Sequence, residues 1–190
     1  MMKNAVTNCV QKNKTPRLGQ VLISKDQIAR RITQLAEEIR THYDGRENSE
    51  LVIVAIMTGS LVFLADLIRQ LPLPIRLALM IVSNYPGTAT QARGVQIRYD
   101  IQENIANKDV LVVDDIFDTG QTLSAVIDLL KERAARSVRT CVLLKKLTAG
   151  HENIEPDFVG FEIPDKFVVG YGLDYNNLFR NCPEIAVLDQ

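Results

Sequence analysis

The sequence predicts a single α/β domain, a twisted and mostly parallel sheet flanked by helices. Three observations carry that reading. Continuous apolar runs at residues 51–57, 75–82, 110–113 and 138–144 suit strands buried on both faces. Segments with apolar residues at helical spacing lie between several of them. Strands alternating with helices are the mark of a parallel sheet. A chain of 190 residues fits one domain, and can bury about 70% of its unfolded surface without disulfides or metal.

Taken in order, residues 21–23 read as a short strand. Ser24 is an N-cap, and Gln27 three residues on completes a capping box. Ile28, Ile32, Leu35, Ala36, Ile39 and Tyr43 follow at helical spacing, and Asp44-Gly45 stops the helix. Residues 51–57 form a buried strand, Thr58-Gly59-Ser60 breaks it, and 61–71 form a helix ended by Pro72. Residues 75–82 are a further strand. Residues 83–94 are polar, with Pro86, Gly87 and Gly94, and read as a loop long enough to serve as a lid. Val95, Ile97, Tyr99 and Ile101 alternate with polar residues, the pattern of a half-buried strand. A strand at 110–113, a helix at 121–135 and a strand at 138–144 complete the alternation. After Lys146 the pattern changes to short apolar pieces at 158–161, 167–169 and 185–188 among Gly, Pro and Asp. That segment, 147–190, is expected to supply most of a small hood. Residues 1–20 are expected to form a disordered tail, with the domain spanning 21–190.

Composition excludes several function classes. The 22 basic and 23 acidic residues leave a net charge of −1, which argues against a surface built for nucleic acid. Cys9, Cys141 and Cys182 are too few and scattered for a disulfide framework or a zinc site. Two histidines exclude a His-rich metal centre. No apolar run approaches the roughly 18 residues of a membrane span, and the N-terminus lacks the apolar core of a signal peptide. The expectation is a cytoplasmic protein.

The informative segment is residues 110–122, VLVVDDIFDTGQT. Its apolar half sets a buried strand directly before Asp114 and Asp115. Ligands of open α/β sheets bind beyond the carboxyl ends of the strands, so both acids stand where a ligand belongs. Asp118, Thr119, Gly120, Gln121 and Thr122 make a tight loop opening a helix. The unpaired N–H groups of such a turn, with the helix dipole behind them, form an anion cradle. A phosphate site beside paired carboxylates suits a sugar phosphate.

This segment resembles the phosphoribosyl-pyrophosphate (PRPP) signature of type I phosphoribosyltransferases. Residues 156–175, PDFVGFEIPDKFVVGYGLDY, closely resemble the hood of the hypoxanthine-guanine phosphoribosyltransferases, and 143–148, LLKKLT, resemble the segment before it. The resemblance covers most of the chain from about residue 21. It implies the type I phosphoribosyltransferase fold and a purine salvage enzyme: hypoxanthine or guanine plus PRPP gives IMP or GMP plus pyrophosphate, with Mg²⁺. It implies that Asp118 exchanges a proton near purine N7, and that Asp114 and Asp115 bind the ribose hydroxyls directly or through Mg²⁺. Thr119, Gly120, Gln121 and Thr122 would hold the 5′-phosphate, and Gly59 and Ser60 pyrophosphate. Lys146 would bond the 6-oxo group, Phe167 stack on the base and Val168 read its edge. Asp174 would ligate Mg²⁺ beside the base, and Arg180 contact pyrophosphate. A homodimer or homotetramer is implied as well.

Three positions depart from the family pattern. Thr58 stands where a Lys or Arg is usual, Asn84-Tyr85 where Ser-Tyr is usual, and Gln121 where a lysine is frequent. Two rival readings share the fold: an RNA-binding regulator, which the near-neutral charge disfavours, and a family member that binds nucleotide without turnover.

Overall fold

The protein is described by a computed structural model covering residues 17–45, 50–85, 94–147 and 154–189. The chain runs β1 (Arg17–Ile23), α1 (Lys25–Tyr43), β2 (Leu51–Met57), α2 (Leu61–Gln70), β3 (Ile75–Tyr85), β4 (Gly94–Tyr99), β5 (Asp109–Phe117), α3 (Gln121–Glu132), β6 (Ser137–Lys146), β7 (Phe158–Ile163), β8 (Val168–Val169) and β9 (Ile185–Asp189).

Six strands form the main sheet in the order β4-β3-β2-β5-β6-β7. All neighbours are parallel except β3 and β4. Side chains alternate across this sheet, and each face has its own helices. Leu51, Ile53, Ala55, Leu111, Val113, Cys141 and Leu143 pack on the side of α1 and α2. Val52, Val54, Ile56, Val110, Val112 and Val142 pack on the side of α3. Burial on both faces explains why these strands read as unbroken apolar runs. The capping box of α1 is present, and all six apolar residues of its stripe are buried.

The chain order reverses at the centre of the sheet. From β2 the chain steps outward to β3 and β4, then returns to the opposite side of β2 as β5. This is a topological switch point, where crossover connections leave in opposite directions and open a crevice at the carboxyl ends. The β2–β5 pairing stops at Ala55↔Val113, so the last residues of both strands border that crevice.

A separate three-stranded sheet, β1-β9-β8, forms the hood from both ends of the chain. Several boundaries differ from the sequence expectation. β1 begins at Arg17, four residues into the expected tail, because it pairs with β9 from Arg17↔Asp189 onward. β7 lies in the segment assigned to the hood, yet it extends the main sheet beside β6. Gly160 permits that approach, since a Cβ there would stand 2.4 Å from the Leu143 carbonyl oxygen. Residues 83–85 and 94 are paired strand rather than loop, with Ser83↔Gln96, Asn84↔Val95 and Tyr85↔Gly94. The rest of the expected lid, residues 86–93, lies outside the described residues.

Candidate active site

A cleft of about 640 Å³ opens at the switch point. Its walls are the carboxyl ends of β2 and β5, the loop opening α3, and two residues of the hood segment, Asp174 and Arg180. Asp114 and Asp115 are the sixth and seventh residues of β5, so the strand carries them rather than ending before them. Main-chain pairing holds Asp114 opposite Val142. The Asp115 N–H donates to Asp114 Oδ1 at 2.9 Å, and the Ile116 N–H to Asp115 Oδ1 at 2.9 Å. Burial, followed by repulsion from Asp115, pushes the Asp114 carboxyl well above the usual carboxylate range. Burial also raises Asp115, against hydrogen bonds and the Arg180 charge that pull it back.

The far wall is an anion cradle. Gly120 precedes α3 with φ +83°, and no side chain caps the helix. The first N–H groups of α3 therefore have no capping side chain, with the positive end of the helix dipole behind them. A Cβ at Gly120 would also meet the Phe117 ring at 3.1 Å. Thr119, Gly120, Gln121 and Thr122 all border the cleft.

Gly59 closes the floor. A Cβ there would lie 1.6 Å from Asp115 Oδ2, so only glycine lets the carboxylate rest on this turn. The hood segment reaches the same point: a Cβ on Gly172 would lie 2.2 Å from the Gly59 carbonyl oxygen. Arg180 locks the segment, bonding the Gly172 carbonyl at 2.7 Å and Asp174 Oδ1 at 2.6 Å. Asp174 Oδ2 accepts the Asn177 N–H at 2.7 Å. The cleft thus combines the Asp114 and Asp115 carboxylates, an arginine and the uncapped start of a helix.

The match with known proteins follows that geometry. A family model described as the phosphoribosyl transferase domain matches residues 22–176. The hypoxanthine phosphoribosyltransferase of Salmonella typhimurium is 39% identical over 174 residues, covering 90% of this chain and 97% of that protein. A crystal structure of a hypoxanthine phosphoribosyltransferase from Staphylococcus aureus superposes with a TM-score of 0.84 at 39% identity, covering 90% of this chain and 92% of that one. The chain belongs to the hypoxanthine-guanine phosphoribosyltransferase family. It is thereby a glycosyltransferase of purine salvage, as the resemblance had implied. The chain also matches the bifunctional protein TilS/HprT of Listeria monocytogenes, 39% identical over 171 residues, but spans only 26% of its length.

Beside the cleft of this phosphoribosyltransferase lies a second group. Lys146, the last residue of β6, places Nζ 3.0 Å from Asp118 Oδ2 and 3.0 Å from Asp165 Oδ1. Burial alone would lower the Lys146 ammonium, but the two carboxylates outweigh it and the net shift is upward. Phe167 is 46% exposed, and its ring meets Tyr175 edge-on, with centroids 5.8 Å apart. Val168 is buried and pairs with Val187 in the hood sheet.

Ser60 lies beside Gly59 in the turn after β2. Its side chain is fully buried and its hydroxyl donates to the Ile56 carbonyl at 2.5 Å, so it braces the turn and does not border the cleft. A hydroxyl next to a strand end satisfies a local carbonyl when it points inward. Thr58, the departure from the family pattern, does border the cleft. Sequence reading missed Gly172 and Asp165, although both stand inside the recognised hood motif. Their roles depend on Gly59 and Lys146, residues more than a hundred and about twenty positions away.

Proposed function

We propose that the chain transfers the 5-phosphoribosyl group of PRPP to N9 of hypoxanthine or guanine, releasing pyrophosphate and IMP or GMP. The observation that carries this is the Asp114–Asp115 pair, with Asp114 buried, facing the uncapped start of α3 across the switch-point cleft. The cradle from Thr119 to Thr122 takes the 5′-phosphate, and the acids take the ribose hydroxyls. Arg180 meets the negative charge that grows on the departing pyrophosphate.

Mg²⁺ fits the donors present. Asp114, Asp115 and Asp174 are hard oxygen donors, and burial and repulsion at Asp114 are relieved by a cation. Among the described residues no cluster of three or more acidic or metal-ligating side chains forms a closed cage. Mg²⁺ is commonly held by one or two carboxylates together with substrate oxygens. When bound, it neutralises charge developing on the diphosphate.

Lys146 selects the base. A charged ammonium donates and cannot accept, so it pairs with a 6-oxo group and not with a 6-amino group. Phe167 supplies a face for stacking, and Asp118 moves the proton at N7. The protein is assigned to the cytoplasm; none of its described helices is long and apolar enough to cross a membrane. A homodimer or homotetramer is the assembly we assign. It is supported by Leu77, Leu79, Ile81 and Tyr99, each 40–50% exposed on one side of β3 and β4.

The test offers hypoxanthine, guanine, xanthine and adenine separately with PRPP and Mg²⁺, for the native chain and Asp118→Asn. Turnover of a 6-oxopurine with adenine refused is expected, and the variant should be on the order of 10²-fold slower or worse. Folded protein that turns over no purine would overturn the assignment.

A further inference from the structure

We infer that Asp165 is a positioning residue, which holds Lys146 at the base site and ties it to the segment that carries Phe167 and Val168. This rests on the proposed role of Lys146 as the reader of the 6-oxo group.

The Lys146 ammonium sits between two carboxylates at equal distance, 3.0 Å from Asp118 and 3.0 Å from Asp165. The two acids come from different parts of the chain. Asp118 lies in the loop after β5, and Asp165 in the turn between β7 and β8, where the Lys166 N–H bonds the Pro164 carbonyl at 2.8 Å. The end of β6 is anchored to the start of that turn by the Leu147 N–H on the Ile163 carbonyl at 2.9 Å. Phe167 follows Asp165 by two residues and holds the Leu188 N–H on its own carbonyl at 3.0 Å. One ion pair therefore joins the lysine that reads the base to the backbone that stacks on it.

The two contacts have different fates when a purine binds. Asp118 is needed at N7, so Lys146 must exchange this carboxylate for the 6-oxo oxygen. Asp165 faces no such demand and keeps its hold. The lysine side chain is only 14% exposed, whereas that of Asp165 is 61% exposed. Removing Asp165 thus disturbs little packing but shifts the balance of the ammonium toward Asp118. The base then competes with a tighter Lys146–Asp118 pair, and the base is bound more weakly while PRPP is untouched.

The experiment compares Asp165→Asn, Asp165→Glu and Lys146→Gln with the native enzyme. KM is measured for hypoxanthine and for PRPP, with kcat and thermal midpoint alongside. Asp165→Asn should raise the hypoxanthine KM by about three- to tenfold. The PRPP KM and thermal midpoint should stay near native values, and Asp165→Glu should recover most of the loss. An unchanged hypoxanthine KM in Asp165→Asn, with Lys146→Gln impaired, overturns this role while leaving Lys146 as base reader. Equal rises in both KM values, or a fall in thermal midpoint without rescue by Glu, also overturn it, because they mark a general structural loss. If Lys146→Gln itself leaves the hypoxanthine KM unchanged, the base-reading assignment fails first.

Discussion

Asp114 is a carboxyl group that the fold buries beside a second one. Its pKa in the folded protein is raised, so the native state holds the proton more tightly than the unfolded chain does. The sign follows by linkage. The stability associated with the protonated group is fully present below the unfolded value, about 3.9, and is lost as pH rises through the raised folded value. Asp114→Asn keeps an oxygen for the Asp115 N–H and removes the charge. In metal-free buffer the variant should be more stable than the native chain at pH 7, by on the order of 1 kcal/mol or more. The gain should vanish near pH 4, and turnover should fall sharply. Thermal unfolding across that range checks it; a variant less stable at pH 7 would show that the buried charge is better compensated than its surroundings imply. At this scale the sequence was informative because the acids, the glycine and the threonines of the phosphate loop are contiguous. That the Ser60 hydroxyl turns inward was not legible, because inward and outward orientations of a turn hydroxyl have the same sequence.

Helix α1 shows how local signals specify an element. Ser24 accepts the Gln27 N–H at 3.4 Å, and Gln27 Oε1 accepts the Ser24 N–H at 2.9 Å. Ser24→Ala removes one half of this reciprocal cap and should cost about 1 kcal/mol. Urea unfolding should show a lower midpoint with an unchanged slope. A neutral result would mean that water or a neighbouring group replaces the serine oxygen. Capping, apolar spacing and stop signals all agree here, so the helix was legible residue by residue. Strand ends were not. β3 and β4 run to Tyr85 and from Gly94 because each supplies the other's main-chain partners, which polar composition does not disclose. α3 stops at Glu132, three residues short of the expected end: Arg133 leaves helical geometry and Ala134 takes φ +57°.

Across the whole molecule, the sheet is covered unevenly. α1, α2 and α3 shield its centre, while Leu77, Leu79 and Ile81 of β3 and Tyr99 of β4 stay exposed on one side. An apolar face of this kind favours association with another surface, and the homo-oligomer we propose would bury it. Leu79→Glu should leave the protomer folded and shift the proposed assembly to monomer, read by sedimentation; an unchanged assembly would exclude this face as the interface. The sequence by itself determined the α/β class, the order of strands and helices, and the chemistry of the phosphate loop, because periodicity and short contiguous motifs encode them. Only the tertiary structure decided that β7 joins the main sheet and that β1 starts at Arg17 to pair with β9. It also decided that Gly172 closes on Gly59 and that Asp165 meets Lys146. Such contacts join distant residues, and their selection depends on how strands cross and pair, a property of the folded chain that no local pattern carries.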